Sequence, residues 1–337
     1  MPYRKLVRRT VKAGLLLMLF LFVLLNFILY NYTAKITFPI TTNRRPKPTL
    51  TTWEKVQAVF FGLNIYKTKL GRYPDKQYST VYFNTQEGDR IAAWLLPADS
   101  ATGGTVILVP GFRNSKATLL PEAGYFTAMG YNCLLLDLRA TGGSEGARLG
   151  FGMDEAEEVY LAYHYIDSLY GKGQIVLWGE SMGAVAILRA INLYPIQPDK
   201  LILEKPFDHF RQAVKNSINY FSNKRLPSGP LSVLATGWIS WHIKHWAFDH
   251  CSSDYAKAVK CPVLLQYGSL DKVTDLQQVR HIYDVLPVKD KHLEIYPEGG
   301  HRLALCTSEP SHWEAAIADF LDHKISTPRS NTEGSGK

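Results

Sequence analysis

Gly179-Glu180-Ser181-Met182-Gly183 stands between an apolar run, Gln174-Ile175-Val176-Leu177-Trp178, and a helix-like stretch, Ala184 to Ala190. A strand, a G-x-S-x-G turn and a helix in this order have the form of a nucleophile elbow. A serine hydroxyl is a poor nucleophile unless it is lifted clear of the sheet to meet a base. The turn that lifts it is sharp and strained, so its flanking positions must be small. Ser181 is therefore the candidate nucleophile.

A nucleophile needs a base, and the base needs an acid that orients it. Around an elbow of this kind the chain order is Ser, then Asp or Glu, then His. Gly268-Ser269-Leu270-Asp271-Lys272-Val273 directly follows a strand pattern. Glu298-Gly299-Gly300-His301 follows the last one. Both segments fall at the C-terminal edge of a sheet, the edge that carries Ser181. His301 is the one histidine of ten that follows the last strand within a few residues, and the small residues before it would let its loop fold back toward Ser181. Asp271 and His301 thus complete the constellation. Asp271 could instead cap a helix starting near Thr274, with Asp275, Asp254 and Glu298 as rival carboxylates.

Attack on a carbonyl creates an oxyanion that needs two preorganised N–H donors. One is expected from Met182, the residue after the nucleophile. The other is expected from Phe112 in the loop Pro110-Gly111-Phe112-Arg113-Asn114, where Gly111 supplies freedom to turn and Asn114 a brace. His242 and His245 could form half of a metal site, but no carboxylate or thiol ligand stands at paired spacing. Neither a metal nor another cofactor is expected.

These residues must be positioned by alternating strands and helices. Ser79–Phe83 and Ile91–Leu96 flank a hairpin signal at Gln86-Glu87-Gly88-Asp89. Further strands are expected at Thr105–Val109, Tyr131–Leu136, Ile175–Trp178, Leu201–Leu203, Val263–Tyr267 and His292–Tyr296. Helices are expected at Ala117–Met129, Asp154–Leu169 and Trp313–Leu321. Continuous apolar strands alternating with helices imply an α/β fold, with a mostly parallel eight-stranded sheet covered on both faces. This domain spans residues 78–324. Residues 207–260 interrupt the alternation and are too long for a plain connection. They should hold helices of their own, where a lid over the site is expected. Tyr220, Phe221, Trp238, Trp241, Trp246 and Phe248 could line an acyl pocket, touch lipid or form the core of that segment.

The N-terminus is separable. Residues 1–12 are basic, and 13–33 are almost wholly apolar with Asn26 the only polar interruption before Tyr30. That length suits one membrane span, without the polar stripe of a soluble helix. No A-x-A-like cleavage site follows, which favours a retained signal anchor over a cleaved signal peptide. Residues 34–77 form a proline-bearing linker and an amphipathic helix over Thr52–Leu70, whose aromatic face is expected to pack on the body, with the membrane surface as the alternative. Residues 325–337 are a polar tail, expected to be disordered. Nine of the 38 basic residues precede residue 48 with no acidic one, which leaves 29 basic against 30 acidic in the body. That near-neutral body argues against a nucleic-acid partner. Five of the nine lie directly before the apolar run, which places the N-terminus in the cytoplasm and the body outside it. Four cysteines fix little: Cys133 reads as a buried hydrophobe, and a disulfide among Cys251, Cys261 and Cys306 is allowed in an oxidising compartment.

With these motifs the chain resembles the α/β-hydrolase superfamily over about Tyr78 to Lys324. It looks most like serine hydrolases with small lids and one N-terminal membrane segment. The Pro110–Asn114 loop matches, and Asp137-Leu138-Arg139-Ala140-Thr141-Gly142-Gly143-Ser144-Glu145-Gly146 is similar to the family's D-x-R-G-x-G-x-S-x-G loop. Ala140 stands where glycine is usual. The resemblance implies a metal-independent esterase, lipase, thioesterase or peptidase. The leading reading is a membrane-anchored serine hydrolase that cleaves carboxylic ester or thioester bonds of a small molecule or lipid through an acyl-serine intermediate, with a serine peptidase on the same fold as the close rival. An acyltransferase and a catalytically dead anchored binding module are the alternatives.

Overall fold

The computed structural model describes residues 2–41, 49, 51–98, 100, 103–171, 173–301 and 310–322. The tail at 325–337, Cys306 and most of the proline-bearing linker lie outside these.

Eight strands form one sheet: β1 (Ser79–Asn84), β2 (Arg90–Leu96), β3 (Thr105–Val109), β4 (Asn132–Leu136), β5 (Ile175–Glu180), β6 (Lys200–Glu204), β7 (Val263–Gly268) and β8 (Lys291–Tyr296). Their order is β1-β2-β4-β3-β5-β6-β7-β8. β1 runs antiparallel to β2, and β2 antiparallel to β4. All pairings from β4 to β8 are parallel. β3, β5 and β6 are buried along their whole length. This explains their unbroken Val/Ile/Leu runs, since a parallel strand has both faces covered.

Helices α1 (Pro2–Thr37) and α2 (Thr52–Phe61) precede the sheet. α3 (Leu120–Ala128), α4 (Glu155–Tyr170) and α5 (Met182–Leu193) connect its central strands. Between β6 and β7 lie α6 (Phe210–Phe221), α7 (Ser228–Ile243) and the short α8 (Ser252–Ala256). α9 (Leu276–Val285) and α10 (Pro310–Leu321) complete the covering layers. One core cluster centres on α4, α5 and one sheet face; a second joins Trp94, Trp178 and Phe126 to Trp313 of α10, and a third gathers Phe151, Val185, Phe207, Phe210 and Ile239.

Two expectations change. α2 ends at Phe61 rather than near Leu70, because Gly62 at φ 73° closes it. None of its residues is buried, and instead of packing on the body Phe61 meets Phe27 of α1 edge-on at 5.6 Å. Residues 116–119 form a 3-10 turn leading into α3, where one continuous helix was expected.

α1 contains one helix, Val7–Thr37, long and apolar enough to cross a membrane, with mean hydropathy 2.6. Its C-terminal half rests on α7. Trp238 Nε1 donates to Asn26 Oδ1 at 3.1 Å, and His242 Nε2 lies 3.2 Å from both the Tyr30 carbonyl and Thr33 Oγ1. Asn26, the polar break in the apolar run, thus has a side-chain partner on the body.

Candidate active site

The site is built on the C-terminal ends of β5, β7 and β8. β5 is buried to its last residue and delivers Ser181 directly onto α5. Ser181 has φ 50° and ψ −114°, a backbone position costly for a side-chain-bearing residue. Its N–H is held by the Glu204 carbonyl at 2.7 Å. A Cβ on Gly183 would collide with the carbonyl oxygens of Val109 and Pro110, the latter at 2.6 Å. The helix after the turn can therefore approach β3 only with glycine there. Met182 is the first residue of α5, so its N–H has no partner within the helix.

Asp271 and His301 meet. His301 Nδ1 lies 2.8 Å from Asp271 Oδ2. The other carboxylate oxygen accepts the N–H groups of Val273 (2.7 Å) and Thr274 (3.1 Å). The Asp271 side chain has no exposed surface, whereas that of His301 is 42% exposed. Burial pushes the Asp271 carboxyl up, but the His301 contact and the two backbone N–H groups outweigh it and hold it below its ordinary value. An ionised Asp271 accepting at Nδ1 places the ring proton there and leaves Nε2 free to act as a base. Of the rivals, Asp275 caps α9 through Gln278 N–H at 3.0 Å, and Asp254 pairs with Lys257 at the surface. Among the described residues no hydrogen bond joins Ser181 Oγ to the His301 ring. Such bonds often tighten only when substrate is bound.

The His301 loop reaches back because two backbones nearly touch. A Cβ on Gly268, the last residue of β7, would strike the carbonyls of Gly299 and Gly300, the latter at 2.6 Å. Leu270 N–H donates to the Gly299 carbonyl at 2.9 Å, fixing the Asp271 and His301 turns side by side. The glycines before His301 suggested this fold-back; Gly268, their counterpart, was not singled out.

Beneath the site lies a polar cluster that sequence reasoning missed. Lys205, fully buried just after β6, sits 3.4 Å from Glu180 Oε1 and 3.9 Å from Glu204 Oε2. Its ammonium also donates to the His301 carbonyl oxygen. Glu204 accepts Trp313 Nε1–H at 2.6 Å. Burial pushes Glu204 up to about 7, against the pull of Lys205 and Trp313. Asn114 Nδ2 donates to Glu180 Oε2 at 3.2 Å. The expected brace therefore ties the Phe112 loop to the residue preceding Ser181. Phe112 is 37% exposed, and its ring stacks on Phe151 at 5.5 Å. A Lys at 205 carries no motif signal; only the parallel pairing of Glu180 with Glu204 brings these residues together.

The Asp137–Gly146 loop is a buried scaffold beside the site. Asp137 pairs with Lys116 and accepts the N–H groups of Lys116 (2.7 Å) and Gly143 (2.6 Å). Arg139 donates to Glu158 at 2.6 Å. Ala140 has φ 55°, the left-handed conformation that favours the family's glycine. His242 and His245 serve other partners: His242 faces α1, and His245 Nε2 lies 2.7 Å from Asp154. Cys133 is buried, and Cys251 and Cys261 are free thiols. A cavity of about 460 Å³ is lined by Tyr194–Asp199 and Lys260–Pro262, which precede β6 and β7. It lies at the N-terminal edge of the sheet, opposite Ser181.

Comparison with known proteins agrees with this topology. The Hydrolase_4 family model, described as "Serine aminopeptidase, S33", matches residues 100–250 and 245–305. An uncharacterised membrane protein of Saccharomyces cerevisiae, YNL320W, is 23% identical over 247 residues, covering 73% of this chain and 80% of that protein. The lysophosphatidylserine lipase ABHD12 of Danio rerio is 28% identical over 47% of this chain, but only 40% of the lipase is spanned. The polyketide transferase grgF of a Penicillium species is 35% identical over 33% of this chain and 40% of its own length. Among solved structures, the Pyrococcus furiosus esterase Pf2001 superposes with TM-score 0.63 at 19% identity, covering 85% of this chain and 98% of that one, a likeness of fold. With the matched family model spanning most of the eight-stranded sheet, the chain belongs to the Hydrolase_4 family of α/β-hydrolases.

Proposed function

We propose that the protein is a membrane-anchored serine hydrolase that cleaves carboxylic ester or thioester bonds through an acyl-serine intermediate. The observation that carries this reading is the 2.8 Å His301–Asp271 pair at the sheet edge that presents the strained Ser181. His301 Nε2 takes the Ser181 proton as Oγ attacks the substrate carbonyl. Asp271 holds the tautomer and stabilises the imidazolium that forms. The N–H groups of Met182 and Phe112 receive the oxyanion. His301 then returns the proton to the leaving group, and water, activated by the same nitrogen, releases the acid.

A lipid ester is the substrate class favoured by the helices over the site. Residues 207–260 act as the lid, and its α7 is held against α1 by Trp238 and His242. Phe221, Trp241 and Trp246 of the same segment are 83%, 73% and 65% exposed. Such aromatics suit the lipid–water boundary. The α1–α7 contacts also favour a retained anchor, since cleavage after about residue 34 would remove their partners. The basic residues before the span support a cytoplasmic N-terminus and an extracytoplasmic body. Acyl transfer to an alcohol is the second reading, favoured by the likeness to the polyketide transferase.

A fluorophosphonate probe should label the wild type, and Ser181→Ala should abolish labelling while retaining the thermal transition. Hydrolysis should fall by about 10⁴-fold or more. Labelling that survives the substitution would remove Ser181 from its role. A screen of p-nitrophenyl esters of graded chain length, alongside lysophospholipids and aminoacyl amides, separates esterase from peptidase. Protease added to intact cells should digest the body; protection until lysis would reverse the topology.

A further inference from the structure

Outside the active site, three chain segments bring metal-binding side chains together. Asp208 follows β6, His209 caps α6, and His281 projects from α9. One ligand atom from each lies within 4.8 Å of the others. His281 Nδ1 is 2.6 Å and His209 Nε2 3.5 Å from the same carboxylate oxygen, Asp208 Oδ2. A β-bridge between His209 and Cys251 brings a fourth donor alongside. Cys251 Sγ is 3.3 Å from Asp208 Oδ1 and 3.9 Å from His209 Nε2.

The carboxylate is fixed and the histidines are free to adjust. Asp208 is buried; Oδ1 accepts Ser253 N–H at 2.8 Å, and its own N–H donates to Gln278 Oε1 at 3.0 Å. The His209 and His281 side chains are 56% and 54% exposed. A carboxylate held by outer hydrogen bonds, with two imidazoles open to solvent, meets the requirements of a site that has an access path. A tetrahedral ion with metal–N and metal–O bonds of about 2.1 Å sets its ligands roughly 3.4 Å apart. The 2.6 and 3.5 Å distances to Asp208 Oδ2 lie on either side of that value. His281 must therefore withdraw from Asp208 by less than about 1 Å, and Cys251, which stands outside the group of three, must swing in to complete the set.

We propose that Asp208, His209 and His281 bind a divalent transition-metal ion of the zinc class, with Cys251 as the fourth ligand. The mixture of imidazole, carboxylate and thiolate suits zinc rather than the oxygen-only sites of magnesium or calcium. Binding through His281 Nδ1 moves the ring proton to Nε2 with no net loss, while Cys251 releases its thiol proton to solvent. The ion joins the starts of α6 and α8 to α9, and so staples the segment between β6 and β7 to the body. It takes no part in hydrolysis, and the proposal stands independently of that reading.

The test uses the untagged full-length protein in detergent, stripped with chelator and titrated calorimetrically with Zn²⁺. One equivalent should bind, with a metal-dependent rise in Tm. The double variant His209→Ala/His281→Ala loses the His281 contact to buried Asp208, so a lower metal-free Tm is expected on that account. The reading is its metal-dependent rise in Tm, which should vanish, and its affinity, which should drop by at least about a hundredfold. With Co²⁺ the wild type should show a sulfur-to-cobalt charge-transfer band that Cys251→Ser removes. Absence of saturable binding, or unchanged binding by the double variant, would overturn the proposal. Absence of the sulfur band would remove Cys251 from the ligand set.

Discussion

Replacing Lys205 by methionine keeps the aliphatic stem and deletes one buried charge. Two carboxylates, Glu180 at 3.4 Å and Glu204 at 3.9 Å, then lose their cation, and the His301 carbonyl loses its donor. At an effective dielectric of about 20, each attraction is roughly 4–5 kcal/mol, offset in part by the desolvation of the charges. Breaking a buried pair by removing one partner costs about 3–5 kcal/mol. Glu204, already pushed up to about 7 by burial, can take a proton when the cation goes, which keeps the loss toward the lower bound. For a body of this size the loss corresponds to a Tm lower by roughly 6–20 °C. Tryptophan fluorescence during heating of the detergent-solubilised protein reads it directly. Adding Glu180→Gln should recover part of the loss, because it removes one orphaned anion. Turnover of Lys205→Met at a permissive temperature should fall by up to about 10²-fold, the effect of misplacing the His301 loop by an ångström. A Lys205→Met protein with wild-type Tm, or a double variant whose losses simply add, would refute the coupling.

The remaining predictions concern backbone and pH. Ala140→Gly relieves a left-handed alanine worth about 1–2 kcal/mol but adds about 0.5–1 kcal/mol of chain entropy; Tm should hold or rise by a few degrees. Gly183→Ala forces its Cβ into the Val109 and Pro110 carbonyls, so soluble yield and Tm should both collapse, by more than about 3 kcal/mol where a transition is measurable. Burial drives His250 down to about 3, with Arg189 and His245 adding to that and the Phe151 carbonyl opposing it. The unfolded chain therefore binds a proton that the fold excludes. Stability from His250 is fully present above about pH 6.5 and is lost toward pH 3, by roughly 1.4 kcal/mol per pH unit. Unfolding followed across that range should show the slope, and His250→Gln should flatten it.

What could be read in the sequence follows from where strands end. Ser181, Asp271 and His301 each follow a strand pattern by a few residues: an unbroken apolar run before Ser181, a run broken by Gln266 before Asp271 and an alternating one before His301. Their common edge is therefore visible without coordinates. That the later strands run parallel also follows, because helical patterns separate them; their order, with β4 inserted between β2 and β3, does not. The Lys205 cluster and the Asp208–His209–His281 group could not be read this way. Each gathers residues from segments far apart in the chain, and their meeting depends on the parallel register and on how α8 and α9 pack. α2 was overextended because apolar spacing continues past Gly62, whose positive φ ends the helix regardless of the pattern.

The α1–α7 contact also sets a height. From Val7 to Val23 every residue of α1 is exposed, and contact with the rest of the chain begins at Leu24. Those residues span roughly 25 Å of helix, little less than the hydrocarbon thickness of a bilayer, about 30 Å. If α1 spans a bilayer as proposed, almost no slack remains between bilayer and body. A protein tethered by a long flexible stalk would sample substrates throughout a hemisphere of solvent. With α1 as the proposed span, the body would be held flush with one leaflet and could not swing away from it. On that proposal the working concentration of a lipid substrate would be its density in that leaflet, and membrane thickness would become a variable that tilts the catalytic body.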